Sequence, residues 1–483
     1  MSSNQQATGE AFFGTLPTLN NKDERIYSFW DMVWITGGYA IASWCYVQGG
    51  WLSSMLTFQQ LVFSTFFVFI LGGLFAYTIT IMACRHGMDV VFFMRAVFGE
   101  VGMKIMFCLI MLTGMGYSAI NAQLYANSFI KILGAAGLDL GPGWVPWLGA
   151  TCVLLGTALA IRGPIAVKWA TRIMVPSLLA VGFIIIILLF TNLTWNGLDN
   201  LKPIEASYYD SPYTIAVEWN LAYVIAWISV LGVIPRYGKS ERISYWGHII
   251  GFSVIMGIFV ILGGMTGLVM AAKTGVISLD PTDWLISLGG AYLGLMSVFV
   301  VALANVTTQA LDLYSVSVST KVLRPTGSFK WICVGLSLFV LALLFWGGIW
   351  EFYDSFLGII GVISGPTLAL IVTDYYLVRK QNISMRDAYM VQGNRKYFYT
   401  GGFNLVTVVC FLAGIVAYLM CYDVINSVPK QKIFYVCTAT GWSIITTSIL
   451  YYAASRIPVL RAYMVPEDDS LNKTNTFNMS NDV

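Results

Sequence analysis

The sequence predicts an all-α integral membrane protein of about twelve transmembrane helices, and three observations carry that prediction. The 483 residues are 57% hydrophobic and only 11% charged, with a mean hydropathy of +0.73. Soluble domains carry about 25% charged residues, so this chain lacks the charge to cover a water-facing surface of its own size. Second, apolar runs of the ~20 residues that cross a bilayer as helix recur along the chain. Third, Lys and Arg fall almost entirely into alternate loops. Intrinsic disorder, a nucleic-acid-binding arm and a soluble multidomain enzyme are excluded on composition.

The elements follow in order. Residues 1–27 form a polar tail, and no cleavable signal is expected there. Spans are predicted at about 28–50, 58–84, 102–134, 145–162, 172–192, 214–235, 243–272, 288–320, 330–349, 352–378, 402–421 and 432–454. Ten-residue alternating segments, the mark of a closed β-barrel, are not what these runs show. With an even span count both ends share one side. That side collects 22 of the 27 Lys and Arg, leaving Lys202, Lys273, Lys430 and Lys432 opposite and Lys131 at the end of span 3. The positive-inside rule places both termini in the cytoplasm, in a multi-pass protein of the plasma or inner cell membrane. The loops and the tail 455–483 are too short for a catalytic domain, so function must lie among the helices.

Four spans depart from a passive membrane helix. Span 1 contains Trp34-Ile35-Thr36-Gly37-Gly38-Tyr39-Ala40-Ile41-Ala42-Ser43, with a glycine pair where a helix can open. Unwound backbone at membrane depth is tolerated where it lines a protein-enclosed cavity; close packing through small residues is the competing explanation. Span 6, from Glu218 to Pro235, is polar and aromatic throughout and ends at Gly232 and Pro235. Spans 1 and 6 are five apart and run in opposite senses, as the first helices of two inverted five-helix repeats do. Span 8 carries Ala304-Asn305-Val306-Thr307-Thr308-Gln309-Ala310-Leu311-Asp312-Leu313-Tyr314-Ser315. An ionised Asp near mid-span costs at least about 2.5 kcal/mol unless paired or wetted, so Asp312 is a functional candidate, with a salt bridge or helix contact as the structural alternative. Span 3 places Tyr117 and Asn121 four apart on one helix face. A ring and an amide there suit a flat, hydrogen-bonding heterocycle, and equally a helix-packing pair.

The remaining ionisable residues read as structural. Asp31, Glu351, Asp354 and Asp374 sit near span ends. His86 and His248 are the only histidines and form no three-ligand pattern, and the eight cysteines show no CxxC spacing. No Walker sequence is present. An enzyme is therefore not expected.

From the second half of span 10 onward the chain runs Ile363-Ser364-Gly365-Pro366, Thr373-Asp374-Tyr375-Tyr376-Leu377-Val378-Arg379-Lys380, Asn382-Ile383-Ser384, Asp387, Tyr389, then Tyr397-Phe398-Tyr399 and Gly401-Gly402-Phe403-Asn404. This resembles the G-P, D-Y-x-L-x-R, I-S-x-x-D-x-Y and G-x-N pattern of the nucleobase:cation symporter-1 family. The match in length and span order covers about 28–454. The T-T-x-x-x-x-L-Y run of span 8 and the R-Y-G-K after span 6 are most similar to its purine-cytosine permease branch. The resemblance implies the fold of sodium-coupled amino-acid transporters. Spans 1–5 (28–192) and 6–10 (214–378) would form the inverted repeats. An extracellular loop (193–213), a cytoplasmic loop (379–401) and accessory spans 11–12 (402–454) complete the expected organisation.

The resemblance further implies a site. The family's paired hydroxyls fall on Thr307 and Thr308, with the backbone carbonyl of Ala304. Together with carbonyls of the broken span 1 around Gly37 and Ala40, they would hold Na⁺. The stacking aromatic of span 3 falls on Tyr117 and the amide on Asn121. The span 6 aromatic falls on Tyr223 if one residue is inserted or deleted; Trp227, one turn on, is the alternative. Two departures stand out. Val233 occupies a position where many relatives have Asp, and the family's substrate-contacting Asn of span 8 is absent, leaving Gln309 and Asp312. The implied activity is secondary active import of a small nucleobase-like heterocycle such as cytosine, a purine, allantoin or hydantoin. A Na⁺ or H⁺ gradient would drive it, with no cofactor beyond the coupling ion. The alternative is a cation-coupled carrier of an amine or amino-acid-like substrate paired with Asp312. The expected partners are substrate, coupling cation and bilayer, with no nucleic acid, and the expected unit is a monomer.

Overall fold

The computed structural model describes residues 18–19, 22–41, 43–192, 194–205, 211–277, 280–348, 353–384, 387–388 and 396–465. Glu351, Arg386, Tyr389, Arg395 and Lys473 lie outside the described residues, as does most of both tails. Helix occupies every one of the twelve predicted runs. Eight helices among the described residues are long and apolar enough to cross a membrane. The others are the two interrupted spans, 1 and 6, and the two accessory helices Leu405–Cys421 and Ala439–Arg456.

Span 1 is two helices, α1 (Phe29–Ala40) and α2 (Ser43–Met55). Span 2 is α3 (Phe58–Ala76) and α4 (Thr78–His86). A short apolar helix outside the predicted spans, α5 (Val90–Phe98), leads into α6 (Glu100–Ala135), which is span 3. Spans 4 and 5 are α7 (Val145–Ala160) and α8 (Pro164–Asn192). Helix α8 starts earlier than the predicted 172 because Gly163, at φ +81°, ends the preceding turn and Pro164 opens the next helix. A one-turn helix α9 (Trp195–Asp199) precedes span 6, which starts as α10 (Pro212–Ile225).

Span 7 runs from α11 (Glu241–His248) through a π turn at Ile249–Ile255 into α12 (Met256–Thr274). The predicted span 8 is not one helix. Its first residues belong to α13 (Pro281–Gly289), and the chain turns at Gly290, φ +66°, before α14 (Leu295–Leu323). Then follow α15 (Phe329–Trp346), α16 (Tyr353–Val372), α17 (Leu405–Cys421), the short α18 (Phe434–Cys437), α19 (Ala439–Arg456) and α20 (Pro458–Met464).

Packing puts the interrupted helices in the middle. Helix α2 lies on α12, α14 lies on α6, α7 and α8, and α1 fits between α8, α11 and α14. The accessory α17 and α19 pack on each other and on α16 at the periphery. Of the ionisable residues assigned to span ends, Asp31 and Asp374 are held by partners there. Asp31 pairs with Lys168 at 3.0 Å and Arg172 at 2.5 Å, and Asp374 pairs with Arg379 at 2.7 Å while accepting from Tyr451 at 2.8 Å. Arg379 also donates to Ala96 O and Met464 O. The D-Y-x-L-x-R block thus ties span 10 to α5 and α20, which is a structural task.

Candidate functional site

The break in span 1 is the foundation of the site. In an uninterrupted helix the N–H of residue 43 would bond the carbonyl of residue 39, and that of residue 42 the carbonyl of residue 38. Here Ser43 N–H donates to Asn305 Oδ1 (3.3 Å), Tyr39 O receives the Trp44 indole N–H (3.1 Å), and Gly38 O receives the Thr308 hydroxyl (2.9 Å). Side chains of α2 and α14 therefore satisfy the backbone groups that the break releases, as membrane depth requires. The glycine pair lies inside α1 rather than at the break. Its role is approach: a Cβ on Gly38 would sit 2.8 Å from Thr171 Cγ2 and 3.5 Å from Leu311 Cδ1.

Thr308 Oγ1 also lies 3.2 Å from Ala304 O, so a hydroxyl and two carbonyls converge between α1 and α14. Of the predicted cation ligands, Ala304 and Thr308 meet at this seam, and Thr307, the residue before Thr308, is also buried. Gly37 O is taken by the Ile41 N–H at 2.9 Å, and Ala40 ends α1 immediately before the break. The span 1 carbonyl that meets the threonine is that of Gly38. An all-oxygen donor set suits a small hard cation.

Span 6 unwinds in matching fashion. Helix α10 stops at Ile225, a 3₁₀ turn covers Ala226–Ser229, and irregular turns lead to Pro235–Tyr237. Gly232 makes this possible, because a Cβ there would lie 2.2 Å from Asp89 Oδ1 and Val90 N. The 3₁₀ turn carries Trp227 against Tyr117 of α6. Their rings are nearly parallel, 15° apart, with centroids separated by 5.9 Å. Phe252 stacks on the other side of Trp227 at 5.0 Å and 26°. Trp44 meets both Tyr117 and Trp227 edge-on, at 5.3 and 5.4 Å, and Phe356 meets Tyr117 at 5.1 Å. Tyr223 is an edge partner, 6.3 Å from Tyr117 and 6.1 Å from Trp227. Both span 6 aromatics therefore enter the cage, and Trp227 supplies the parallel face.

Polar atoms stand beside these rings. Asn121, one turn after Tyr117, donates to Asn305 O (2.7 Å) and Gln309 Oε1 (3.3 Å). Asn121 Oδ1, Gln309 Nε2, Trp227 Nε1 and Gln48 Oε1 are buried without a hydrogen-bond partner among the described residues. Such groups are costly unless a ligand or water satisfies them. Gln309 lies between α6 and α7, with its Cγ 2.6 Å from where a Gly156 Cβ would be. Asp312 turns toward α6 and accepts from Ser118 Oγ at 3.2 Å. Sequence reasoning missed Trp44, Phe252, Phe356 and Gln48. Gln48 alone carried a signal, an amide one turn after Trp44 in an apolar run. A separate cleft of about 750 Å³ lies where α6, α12 and α13 end, lined by Lys131, Met270, Asp283 and Ile286, and shares no residue with the cage.

Two interrupted spans thus enclose an aromatic cage and an oxygen-lined seam. The chain matches the family model described as permease for cytosine/purines, uracil, thiamine, allantoin over residues 20–442, and it belongs to that family. It is a family of permeases, not enzymes. The purine-uracil permease NCS1 of Arabidopsis thaliana is 24% identical over 67% of this chain and 56% of its own length. The allantoin permease of Bacillus subtilis (strain 168) is 23% identical over 66% of this chain and 69% of its own. The chain thus spans little more than half the length of the plant relative. Among solved structures, the fold resembles MHP1, a nucleobase-cation-symport-1 family transporter, in a closed conformation with bromovinylhydantoin bound (TM-score 0.77, 19% identity, 95% of this chain and 98% of that one). It also resembles the inward-facing conformation of MHP1 (TM-score 0.76, 17% identity, 94% and 95%). A Na⁺-coupled sialic acid symporter shares the architecture at TM-score 0.62, with 14% identity over 90% of this chain and 91% of that one.

Proposed function

We propose that this protein is a cation-coupled symporter that imports a small planar heterocycle of the nucleobase type. The observation that carries the proposal is the near-parallel Tyr117–Trp227 pair, next to the broken span 1 whose Gly38 carbonyl is bound by Thr308. Sandwiching a flat ring needs faces about 7 Å apart, twice the van der Waals spacing of carbon. A modest outward movement of the Trp227 turn would open that slot. Asn121 Oδ1, Gln309 Nε2, Gln48 Oε1 and Trp227 Nε1 then offer acceptors and donors for the edges of the ring, while Tyr223 and Trp44 close its sides. The relatives that carry purines, uracil or allantoin have cargoes of this shape.

The coupling cation is Na⁺ in this reading, held by Gly38 O, Ala304 O and the hydroxyls of Thr307 and Thr308, with Gly37 and Ala40 shaping the backbone around it. A cation there fastens α1 to α14 and so favours the conformation in which the cage is assembled. Coupling is that difference in affinity between conformations and nothing more. The Lys and Arg distribution orients both termini to the cytoplasm of the cell membrane. The test is uptake of labelled cytosine, adenine, uracil, allantoin and hydantoin into proteoliposomes with and without an inward sodium gradient. Gradient-dependent accumulation of at least one ring is expected. Failure of all of them to accumulate under any cation gradient overturns the proposal.

A further inference from the structure

Asp312 is the charge-bearing group in the centre of the molecule that the cation seam and the cage leave unexplained. It is 4% exposed, on α14, one helical turn past Thr308. Its hydrogen-bond partner is the Ser118 hydroxyl at 3.2 Å, and among the described residues no Lys, Arg or His lies within ion-pair distance.

Among the described residues, the helices packed against α14 bring no cationic side chain within ion-pair distance of it, and on α13 Asp283 pairs with Lys131 at 2.6 Å. On α8, Lys168 and Arg172 are engaged with Asp31. On α5, Arg95 donates to Ala388 O, and beside α5 Asp89 accepts from Ser319. Helix α7 brings Cys152 and α15 brings Cys333, both buried. On α6 the facing group is Ser118 itself. On α1, Tyr39 is the titratable group close enough to feel Asp312. Its hydroxyl donates to Leu311 O at 2.7 Å and meets Ser315 Oγ. A carboxylate buried without a counter-charge is costly, whereas the neutral acid needs only its hydrogen bonds. Tyr39 also links this position to the cage, because its ring lies against Trp227 at 6.0 Å and Phe252 at 5.9 Å. Any displacement of Trp227 by cargo bears on the ring whose hydroxyl is bound to the residue preceding Asp312.

We infer that Asp312 is a proton-binding site that loads together with the cargo. A proton from the outer solution adds to a carboxylate oxygen as the cage closes, and it leaves to the inner solution when the opposite end opens. No other bond forms or breaks. The inference rests on the symporter reading, with H⁺ accompanying the cation of the Thr308 seam.

Two experiments on the full-length protein test it. In infrared difference spectra of the purified chain, recorded with minus without each of the five test rings, the C=O stretch of a newly protonated carboxyl should appear in wild type for a ring that binds and be missing in Asp312→Asn. If Asp312→Asn leaves that band intact, or wild type shows only an ionised carboxylate there, the inference is overturned. The second outcome would mean that a metal ion or a cationic cargo is the true partner. In proteoliposomes at a fixed sodium gradient, an acid-outside pH gradient should raise wild-type accumulation of the imported ring. Affinity should fall about tenfold per pH unit above the transition, the slope of one linked proton. Asp312→Glu should retain the response, and Ser118→Ala should displace its midpoint without abolishing it. Sodium-driven uptake that ignores the pH gradient refutes the proton site and leaves the symporter standing. Absence of uptake refutes the symporter, and the infrared result still decides the proton.

Discussion

The cage is built from single side chains whose contributions can be separated. Tyr117→Ala or Trp227→Ala removes one stacking face, worth about 1–3 kcal/mol for a base on an aromatic ring. Equilibrium binding of a labelled heterocycle should weaken about 5- to 150-fold in Kd, and Tyr117→Trp should keep most of the affinity. The control is Phe67→Ala. Phe67 stacks on Phe63 at 8°, but both rings are more than half exposed on the outside of the bundle, so binding should not change. Thr308→Ala removes the one side-chain oxygen that contacts both Gly38 O and Ala304 O. A charge-assisted contact of about 1.5–3 kcal/mol corresponds to a rise of about 10- to 150-fold in the sodium concentration needed for half-maximal uptake. Tyr117, Asn121, Thr308 and Asp312 were legible in the sequence because polar atoms in an oily run cost energy and need a reason. Trp44, Phe252 and Phe356 were not, because an aromatic ring in a membrane helix is ordinary until its neighbours are known.

Among elements, the interruption of span 1 was legible and its position was not. Glycine marked a helix that tolerates opening, yet the structure opens past Ala40, where Trp44, Asn305 and Thr308 supply the missing hydrogen bonds. Asn305 and Thr308 lie 262 and 270 residues from the groups they satisfy, beyond any local pattern. Gly38→Ala tests the distinction. Its methyl would press on Thr171 of α8 and shift α1, with its Gly38 carbonyl, out of register with Thr308, at about 1–3 kcal/mol for overpacking, so both the melting temperature and sodium dependence should fall. Gly134→Ala, with nothing within 4 Å of the added carbon, should be neutral. A third element, α5, adds a pH term. Asp89, just ahead of it, is fully buried, and burial pushes its carboxyl up to about 6, against 3.8 ordinarily, with Ser319 and Arg236 opposing. A carboxyl whose folded value is raised stabilises the fold at low pH and loses that contribution as pH rises through the folded value. Wild type should therefore lose stability between about pH 4 and about pH 6, and thermal melts of Asp89→Asn should lack this loss.

Across the whole molecule, both approaches to the cage are shut. On one side Gln48 donates to Asn220 (3.3 Å) and Trp51 meets Trp219 at 6.1 Å. On the other, Tyr27 N–H donates to Tyr237 O (2.9 Å) and Lys239 N–H to Tyr27 O (3.1 Å). Arg236 donates to the Tyr237 hydroxyl (2.7 Å), which pairs with Tyr314 of α14 at 3.0 Å. The helix count was legible because lipid demands long apolar runs and charge sorts the loops. This second closure was not, because it joins segments flanking spans 1, 6 and 8 that meet only after folding. In the proposed symporter one side must yield while the other holds, and the Tyr237–Tyr314 hydroxyl pair is a link that one substitution cuts. Tyr314→Phe removes one hydrogen bond of about 1 kcal/mol, which favours the state open at that end by about fivefold. Cys84, buried against Arg25 and Gly238 at the same end, reports the opening. With the exposed Cys108 replaced by Ser, a water-soluble thiol reagent should modify Cys84 about fivefold faster in Tyr314→Phe than in its parent. Saturating cargo and sodium should slow both if the closed cage is their preferred partner. Equal rates in the two proteins would mean that the hydroxyl pair does not hold that end shut.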